Sequence, residues 1–197
     1  MELRLTAKAA TKEEAEALLQ PELAALQAEL GDWVYGVDVP NLESVVLNLL
    51  KQTGKTLCTA ESCTGGLIAK RLTDLPGASA VFHGGIVSYV NEVKAKQLLV
   101  PEELLEEHGA VSAPVAKAMA EGARKVMGTD LAVAVTGVAG PDKDDRGNDV
   151  GVVFVALAHE GETEVRQFKL GILRDRVRTR AANSALNMVR LHLQSAE

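Results

Sequence analysis

The chain has 197 residues, of which 47% are hydrophobic and 24% charged, a composition that indicates a globular protein and excludes an intrinsically disordered one. Its net charge is -6 and it contains no run of lysines or arginines, so we expect no direct binding of nucleic acid. No apolar stretch reaches the roughly 20 residues that cross a bilayer. The first residues also lack a secretory signal, so we expect a cytoplasmic protein without membrane contact.

The chain contains two cysteines, Cys58 and Cys63, which are too few for a disulfide framework. Their spacing lacks the second ligand pair of a zinc site, and the four histidines are scattered rather than paired at metal-ligand spacing. We therefore predict two buried reduced thiols and no bound metal.

Residues 1–40 differ in pattern from the rest of the chain. The segment ELRLTAKA alternates like a short strand, Thr11 and Glu14 have the spacing of a capping box that opens a helix, and GDWVYGVD resembles a second short strand. Pro21 interrupts the helical pattern, which then resumes. Because a strand-helix-strand piece of this size buries little core by itself, we predict either a remnant of a preceding domain or an arm packed on the main body.

From residue 41 onward, helical and strand patterns alternate regularly. In chain order they predict a helix at 42–52, the strand KTLCTA, a helix at 65–72, the apolar run AVFHGGIVSYV, short helices near 92–99 and 102–107, a helix capped by Ser112, the strand DLAVAVTG, the hairpin strands VGVVFVALA and TEVRQFKLG, and a final helix at 174–194. This order predicts that residues 41–197 form one layered α/β domain with a mixed, mostly parallel sheet.

Two polar, glycine-containing segments follow predicted strands: TAESCTGG at 59–66 and TGVAGPD at 136–142. In open α/β sheets, ligands bind beyond the carboxyl ends of the strands, and free N–H groups at a helix start favour an anion. The two segments are therefore a candidate site for a phosphorylated ligand. Alternatively, Ser62 or Thr64 only caps a helix and the glycines serve the turn. No Walker A motif occurs, which disfavours a P-loop nucleotide hydrolase.

A second candidate is a serine–lysine arrangement between these two segments. Ser79 precedes the AVFHGGIVSYV strand, Tyr89 lies at its end, and Lys94 lies on the next helix. A lysine that burial has deprotonated can accept the proton of a serine hydroxyl, and a tyrosine can relay that proton or hold the lysine in place. No G-x-S-x-G elbow is present, and a Ser-His-Asp triad has no local support. The alternative reading of Lys94 is a solvated helix residue, the usual state of lysine.

The segments TAESCTGGLIAKRLTDLPGAS, GIVSYVNEVKAKQLLV, HGAVSAPVAKAMAEGAR, AVTGVAGPD and VGVVFVA together resemble the CinA C-terminal domain family. The resemblance runs in order from about Leu42 to Leu193, and characterised members of that family are nicotinamide-nucleotide amidases. It implies a three-layer α/β/α sandwich, often a homodimer, that hydrolyses nicotinamide mononucleotide to nicotinate mononucleotide and ammonia without a metal or organic cofactor. Residues 3–36 resemble the end of the domain that precedes this one in full-length competence-damage-inducible CinA proteins.

The resemblance also implies roles for individual residues. Ser79 matches the proposed nucleophile, Lys94 the general base and Tyr89 a supporting tyrosine. Because Ser62 also lies in a matching motif, the sequence leaves open which of the two serines is the nucleophile. The predicted substrate-binding residues are Ser62, Thr64, Gly65, Gly66, Thr136, Gly137 and Arg174.

Two segments depart from the family pattern. After AGPD the family has a glycine-rich loop and a proline, whereas this chain has the more acidic KDDRGNDVG. The family's GDRD-like stretch is GILRDR here, which leaves Arg176 and Arg178 as possible substitutes for Arg174. The acidic loop favours a rival hypothesis, in which the domain is a catalytically silent binding or dimerisation module of a larger CinA protein.

Overall fold

A computed structural model describes residues 2–195 of the chain, which divide into two compact units between Asp38 and Val39. In the first unit the predicted capping box is confirmed, since Thr11 Oγ1 accepts from Glu14 N at 3.2 Å where helix α1 (Lys12–Leu30) begins. The helix continues through Pro21 instead of breaking there, and the strands predicted on either side of it do not form. A strand needs a neighbouring strand for its backbone hydrogen bonds, and the described residues of this unit offer none.

The second unit contains the alternating helices and strands that the sequence predicts. Its helices are α2 (Leu42–Thr53), α3 (Leu67–Thr73), α4 (Asn91–Leu98), α5 (Glu102–His108), α6 (Ala113–Met127) and α7 (Arg174–Ser195). Its strands are β1 (Leu57–Glu61), β2 (Phe82–Val87), β3 (Leu131–Gly137), β4 (Val152–His159) and β5 (Glu162–Lys169). None of the described helices is both long and apolar enough to span a bilayer.

The strands form one sheet in the order β2-β1-β3-β4-β5. β1 pairs in parallel with both β2 and β3, whereas β4 runs antiparallel to β3 and β5. All strands except β4 therefore point the same way, and the sheet is mixed as predicted, with two parallel and two antiparallel pairings. Glu61 at the end of β1 lies opposite Val87 of β2 and Val135 of β3. The carboxyl ends of three strands thus meet at one edge, and the segments that follow them converge there.

Helices cover both faces of the sheet, which confirms the three-layer α/β/α architecture. α2, α3 and α7 pack together on one face, and α4 and α5 pack with α6 on the other. The core of the second face includes Leu98, Met119 and Ala134. A Cβ on Gly122 of α6 would stand only 1.7 Å from the carbonyl oxygen of Leu98, so α4 lies directly against α6. This close approach fixes the position of α4, the helix that carries Lys94.

Candidate active site

Ser62 is the first residue after β1 and lies at the carboxyl edge of the sheet. Its N–H donates to the carbonyl oxygen of Val135 in β3 at 2.9 Å, and the carbonyl oxygen of Glu61 accepts from Ser88 N at 2.8 Å. Hydrogen bonds to both neighbouring strands therefore hold the backbone on either side of Ser62. Its side chain is 8% exposed and lines a cavity.

Lys94 lies in α4 and is only 1% exposed, an unusual state for a lysine. Its Nζ donates to the carbonyl oxygen of Ser88 at 2.9 Å and to Ser62 Oγ at 3.3 Å. Burial disfavours the ammonium form and lowers the pKa of Lys94 to about 8. A neutral amine at this position can accept the Ser62 hydroxyl proton, so the pair has the geometry of an activated serine nucleophile.

The serine–lysine pair opens into a cavity of about 170 Å³ at the carboxyl edge. Arg174 Nη2 donates to the Tyr89 hydroxyl oxygen at 3.1 Å, and both of these side chains are exposed, so they form the mouth of the cavity. The guanidinium places a positive charge there. The structure brings together six of the residues predicted for the site: Ser62, Tyr89, Lys94, Thr136, Gly137 and Arg174.

Thr136 and Gly137, at the end of β3, shape another wall of the cavity. Thr136 is fully buried, and its Oγ1 donates to the carbonyl oxygen of Ala110 at 2.7 Å. This bond ties the loop between α5 and α6 to the sheet and places Ala110 and Val111 in the cavity wall. The Thr136 hydroxyl is thus engaged by the backbone, and its contribution is to the shape of the cavity.

The turn at 64–66 leads from the cavity into α3, and its two glycines have φ of 58° and 87°, a conformation that favours glycine. The Glu61 carboxylate accepts from Ile68 N at 3.0 Å and from Ala69 N at 2.8 Å. The start of α3 therefore already holds an anion, the protein's own carboxylate. The amides of Ile68 and Ala69 are therefore not free to bind a substrate phosphate. Three predicted binding residues lie outside the cavity wall: Thr64, Gly65 and Gly66.

Ser79 lies at the opposite edge of the sheet. It belongs to the short turn Ala78–Ala80 that precedes β2, and it is exposed. β1 and β2 are parallel, and a strand rises about 3.3 Å per residue, so the length of β1 puts roughly 15 Å between the two edges. The prediction that Ser79 is the partner of Lys94 is therefore corrected. The serine that Lys94 contacts is Ser62, the alternative that the sequence left open.

Arg178 has a role that the sequence does not reveal. Its Nε donates to the carbonyl oxygen of Cys63 at 3.2 Å and its Nη2 to that of Thr64 at 2.8 Å. Arg178 thus supports the turn after Ser62 and does not take the place of Arg174 at the mouth of the cavity. Arg176 is exposed and also lies outside the cavity wall. Because these partners are 115 and 114 positions apart in sequence, no local pattern signals the contact.

Ser88 is also a neighbour of the site that the sequence analysis does not single out. Its carbonyl oxygen accepts from Lys94 Nζ, and the residue is fully buried. The predicted strand AVFHGGIVSYV runs past Ser88, which is why the local pattern misses this residue. In the structure β2 ends at Val87, so that Ser88 follows β2 as Ser62 follows β1.

The prediction of two buried reduced thiols is confirmed. Burial raises the pKa of both Cys58 and Cys63 to about 11, so both remain protonated near neutral pH. Cys63 therefore does not compete with its neighbour Ser62 as a nucleophile. Within residues 2–195, no group of three or more His, Cys, Asp or Glu side chains is placed to ligate a metal.

The fold and the site define an α/β/α domain with a buried serine–lysine pair at the carboxyl edge of its sheet. Residues 40–193 match the family model of the CinA C-terminal domain, so the chain belongs to that family.

Curated relatives with CinA names align with most of this chain. It is 45% identical over 188 residues to a CinA-like protein of Dictyoglomus turgidum and 47% identical over 198 residues to a CinA-like protein of Desulfovibrio desulfuricans. These alignments cover 95% and 98% of this chain but 46% of each relative. The chain therefore spans about half the length of the curated relatives that it matches.

Solved structures of the same superfamily share the fold. The competence/damage inducible protein CihA of Agrobacterium tumefaciens superposes with a TM-score of 0.75 at 36% identity, covering 82% of this chain and 98% of that one. A competence-damaged protein (CinA) superfamily protein of Klebsiella pneumoniae superposes with a TM-score of 0.76 at 31% identity, covering 78% of this chain and 96% of that one.

Proposed function

We propose that this domain is an amidohydrolase that deamidates nicotinamide mononucleotide to nicotinate mononucleotide and ammonia. The observation that carries the proposal is the buried amine of Lys94, 3.3 Å from Ser62 Oγ at the wall of a small cavity. The amidase class and the nucleotide substrate come from the resemblance to the CinA C-terminal domain family, whose characterised members are nicotinamide-nucleotide amidases.

In the first half-reaction, neutral Lys94 takes the hydroxyl proton of Ser62, and Ser62 Oγ bonds to the carboxamide carbon. The carbonyl electron pair moves onto oxygen to give a tetrahedral oxyanion. When this intermediate collapses, the carbon–nitrogen bond breaks, the nitrogen takes the proton from the Lys94 ammonium, and ammonia leaves. A serine ester of the pyridine carboxylate remains.

In the second half-reaction, Lys94 is neutral again and takes a proton from a water molecule that attacks the ester carbon. The new oxyanion collapses, the ester bond to Ser62 Oγ breaks, and the serine oxygen recovers a proton from Lys94. The product is first a carboxylic acid, which releases its remaining proton to solvent and leaves as the carboxylate. One lysine therefore serves as base and acid in both halves.

The size of the cavity suggests how the substrate lies. Its volume of about 170 Å³ is below the roughly 300–1,000 Å³ of pockets that enclose whole ligands. It suits the carboxamide and its ring, with the ribose phosphate extending past the mouth. Arg174 offers the phosphate a charge there, and Tyr89 holds the guanidinium.

In the acidic loop at 143–149, which favours a silent module, two of the three carboxylates have partners within the loop. Asp149 pairs with Lys143 at 2.8 Å, and Asp144 accepts from the backbone N–H groups of Arg146 at 3.1 Å and Asn148 at 2.7 Å. No residue of the loop lines the cavity. The loop therefore brings no negative charge into the cavity.

The test is ammonia release from nicotinamide mononucleotide by the purified chain, with the product identified as nicotinate mononucleotide. We expect steady turnover without added metal. A well-folded chain that releases no ammonia, yet gains thermal stability with nicotinate mononucleotide, would instead establish the silent binding module.

A further inference from the structure

The turn that carries Ser62 is held from two sides by charged groups that do not line the cavity. On one side, the Glu61 carboxylate accepts from the first amides of α3. On the other side, the half-buried Arg178 of α7 donates to the carbonyl oxygens of Cys63 and Thr64. The position of Ser62 relative to Lys94 therefore depends on contacts outside the cavity.

Two backbone N–H groups beside Ser62 lack ordinary partners. Within the described chain, no carbonyl or side-chain oxygen accepts from the amides of Cys63 and Thr64. Both residues are buried, and Cys63 lines the cavity. Thr64 is fully buried and does not line the cavity, so of these two amides only that of Cys63 is available to a ligand oxygen.

Arg178 fixes the direction of the Cys63 amide by holding the turn in which it lies. Its guanidinium donates to the carbonyl oxygens of both Cys63 and Thr64, so the backbone after Ser62 cannot rotate without breaking two hydrogen bonds. Charged donors form the stronger hydrogen bonds, so this constraint is a firm one.

Resting on the amidase function proposed above, we propose that Arg178 is a positioning residue for the reaction. It fixes the turn after Ser62 so that the amide of Cys63, which lines the cavity, points at the oxyanion and forms the oxyanion hole. An amide next to the nucleophile is well placed for this, because the oxyanion forms on the atom bonded to the attacked carbon.

The experiment compares Arg178→Met with a matched control on the same helix, Arg180→Met. Arg180 also donates from a guanidinium to a backbone carbonyl, that of Leu170 at 3.0 Å, but this carbonyl is not part of the turn after Ser62. For ammonia release from nicotinamide mononucleotide, we expect Arg178→Met to lower kcat about a hundredfold with little change in KM. We expect Arg178→Lys to recover part of this loss and Arg180→Met to keep the kcat of the parent.

A second readout does not depend on the substrate. Phenylmethylsulfonyl fluoride labels activated serines, so the rate of Ser62 sulfonylation is followed by mass spectrometry in the parent and both methionine variants. We expect slow labelling in Arg178→Met alone, with melting temperatures showing that all three proteins are folded. Equal labelling and equal kcat in the parent and Arg178→Met would overturn the inference, as would a parent whose Ser62 is not labelled at all. If the parent is labelled but releases no ammonia, the amidase proposal fails while the labelling rates still decide the role of Arg178.

Discussion

The two edges of the sheet hold openings of opposite character. At the carboxyl edge, a cavity of about 170 Å³ is lined by the buried side chains of Ser62, Lys94 and Thr136. At the amino edge, a groove of about 820 Å³ lies between α6 and the β4–β5 hairpin, where charged side chains such as Lys117 and Lys125 are exposed. In the larger opening the lysine side chains are exposed to solvent, whereas in the smaller opening Lys94 is buried.

This difference shows that burial of a polar group is a better sign of function than the size of an opening. An exposed lysine costs the fold nothing, whereas a buried one destabilises the folded chain unless it becomes neutral. Lys94 therefore lowers stability in exchange for an amine that can accept a proton near neutral pH, a combination that clusters at active sites. None of the lysines and arginines described along the groove at the amino edge is buried.

The largest effect expected from this contrast separates the two serines. Ser62→Ala removes the proposed nucleophile, so we expect ammonia release from nicotinamide mononucleotide to fall by several orders of magnitude. Ser79→Ala changes an exposed residue at the other edge, and we expect its kcat and KM to match those of the parent. Circular dichroism checks that both variants are folded. Full activity in Ser62→Ala, or its loss in Ser79→Ala, would reverse the assignment of the two edges.

The assignment of Ser79 failed for a reason that can be traced to the sequence. Both serines lie beside strands, but Ser62 follows β1 whereas Ser79 precedes β2. In a parallel sheet these positions are at opposite edges, so strand direction alone places them apart. The layered fold, the capping box at Thr11 and the helix start at Ser112 followed from local patterns and are confirmed.

Other features depend on tertiary contacts that local patterns do not carry. The burial of Lys94 requires α4 to pack on α6, which Gly122 permits, and lysines are so seldom buried that the residue type predicts the opposite. The support of the Ser62 turn by Arg178 joins distant parts of the chain. The strands expected before and after α1 failed because alternation is insufficient without a pairing partner.

The next effect concerns the pH dependence of the reaction. With the pKa of Lys94 at about 8, the amine is mostly protonated below that pH and cannot accept the serine proton. We therefore expect kcat/KM to rise about tenfold per pH unit on the acid side and to level off above about pH 8. Steady-state rates between about pH 6 and 10 measure this profile. A flat profile would contradict Lys94 as the base, and Lys94→Met should be inactive throughout.

Lys94 should also govern how stability changes with pH. Its pKa is about 8 in the folded chain against 10.5 for an ordinary lysine. Below about pH 8 both states carry the ammonium, and the folded state bears the full cost of burying it. As the pH rises from about 8 to 10.5, the unfolded state binds more protons, so the free energy of unfolding increases by roughly 3 kcal/mol.

Lys94→Met removes this cost at every pH while keeping most of the side-chain volume. We expect the variant to be more stable than the parent below about pH 8, by up to roughly 3 kcal/mol, with the difference disappearing as the pH approaches 10.5. Urea unfolding at about pH 7 and about pH 10 gives both free energies. A parent that is the more stable protein at the lower pH would mean that Lys94 is stabilised there by a partner rather than strained by burial.

The smallest effect is expected at the amino edge. Lys125→Ala removes an exposed charge from the groove, and surface changes of this kind shift stability by no more than about 0.5 kcal/mol. We expect kcat, KM and the pH profile to be unchanged, because the carboxyl edge lies a full strand length away. Arg174→Ala is the matched change at the other opening, since it also removes one exposed positive charge, and it should raise KM for the nucleotide. If Lys125→Ala raised KM instead, the groove would bind part of the substrate, and a buried lysine would no longer distinguish the functional opening from an inert one.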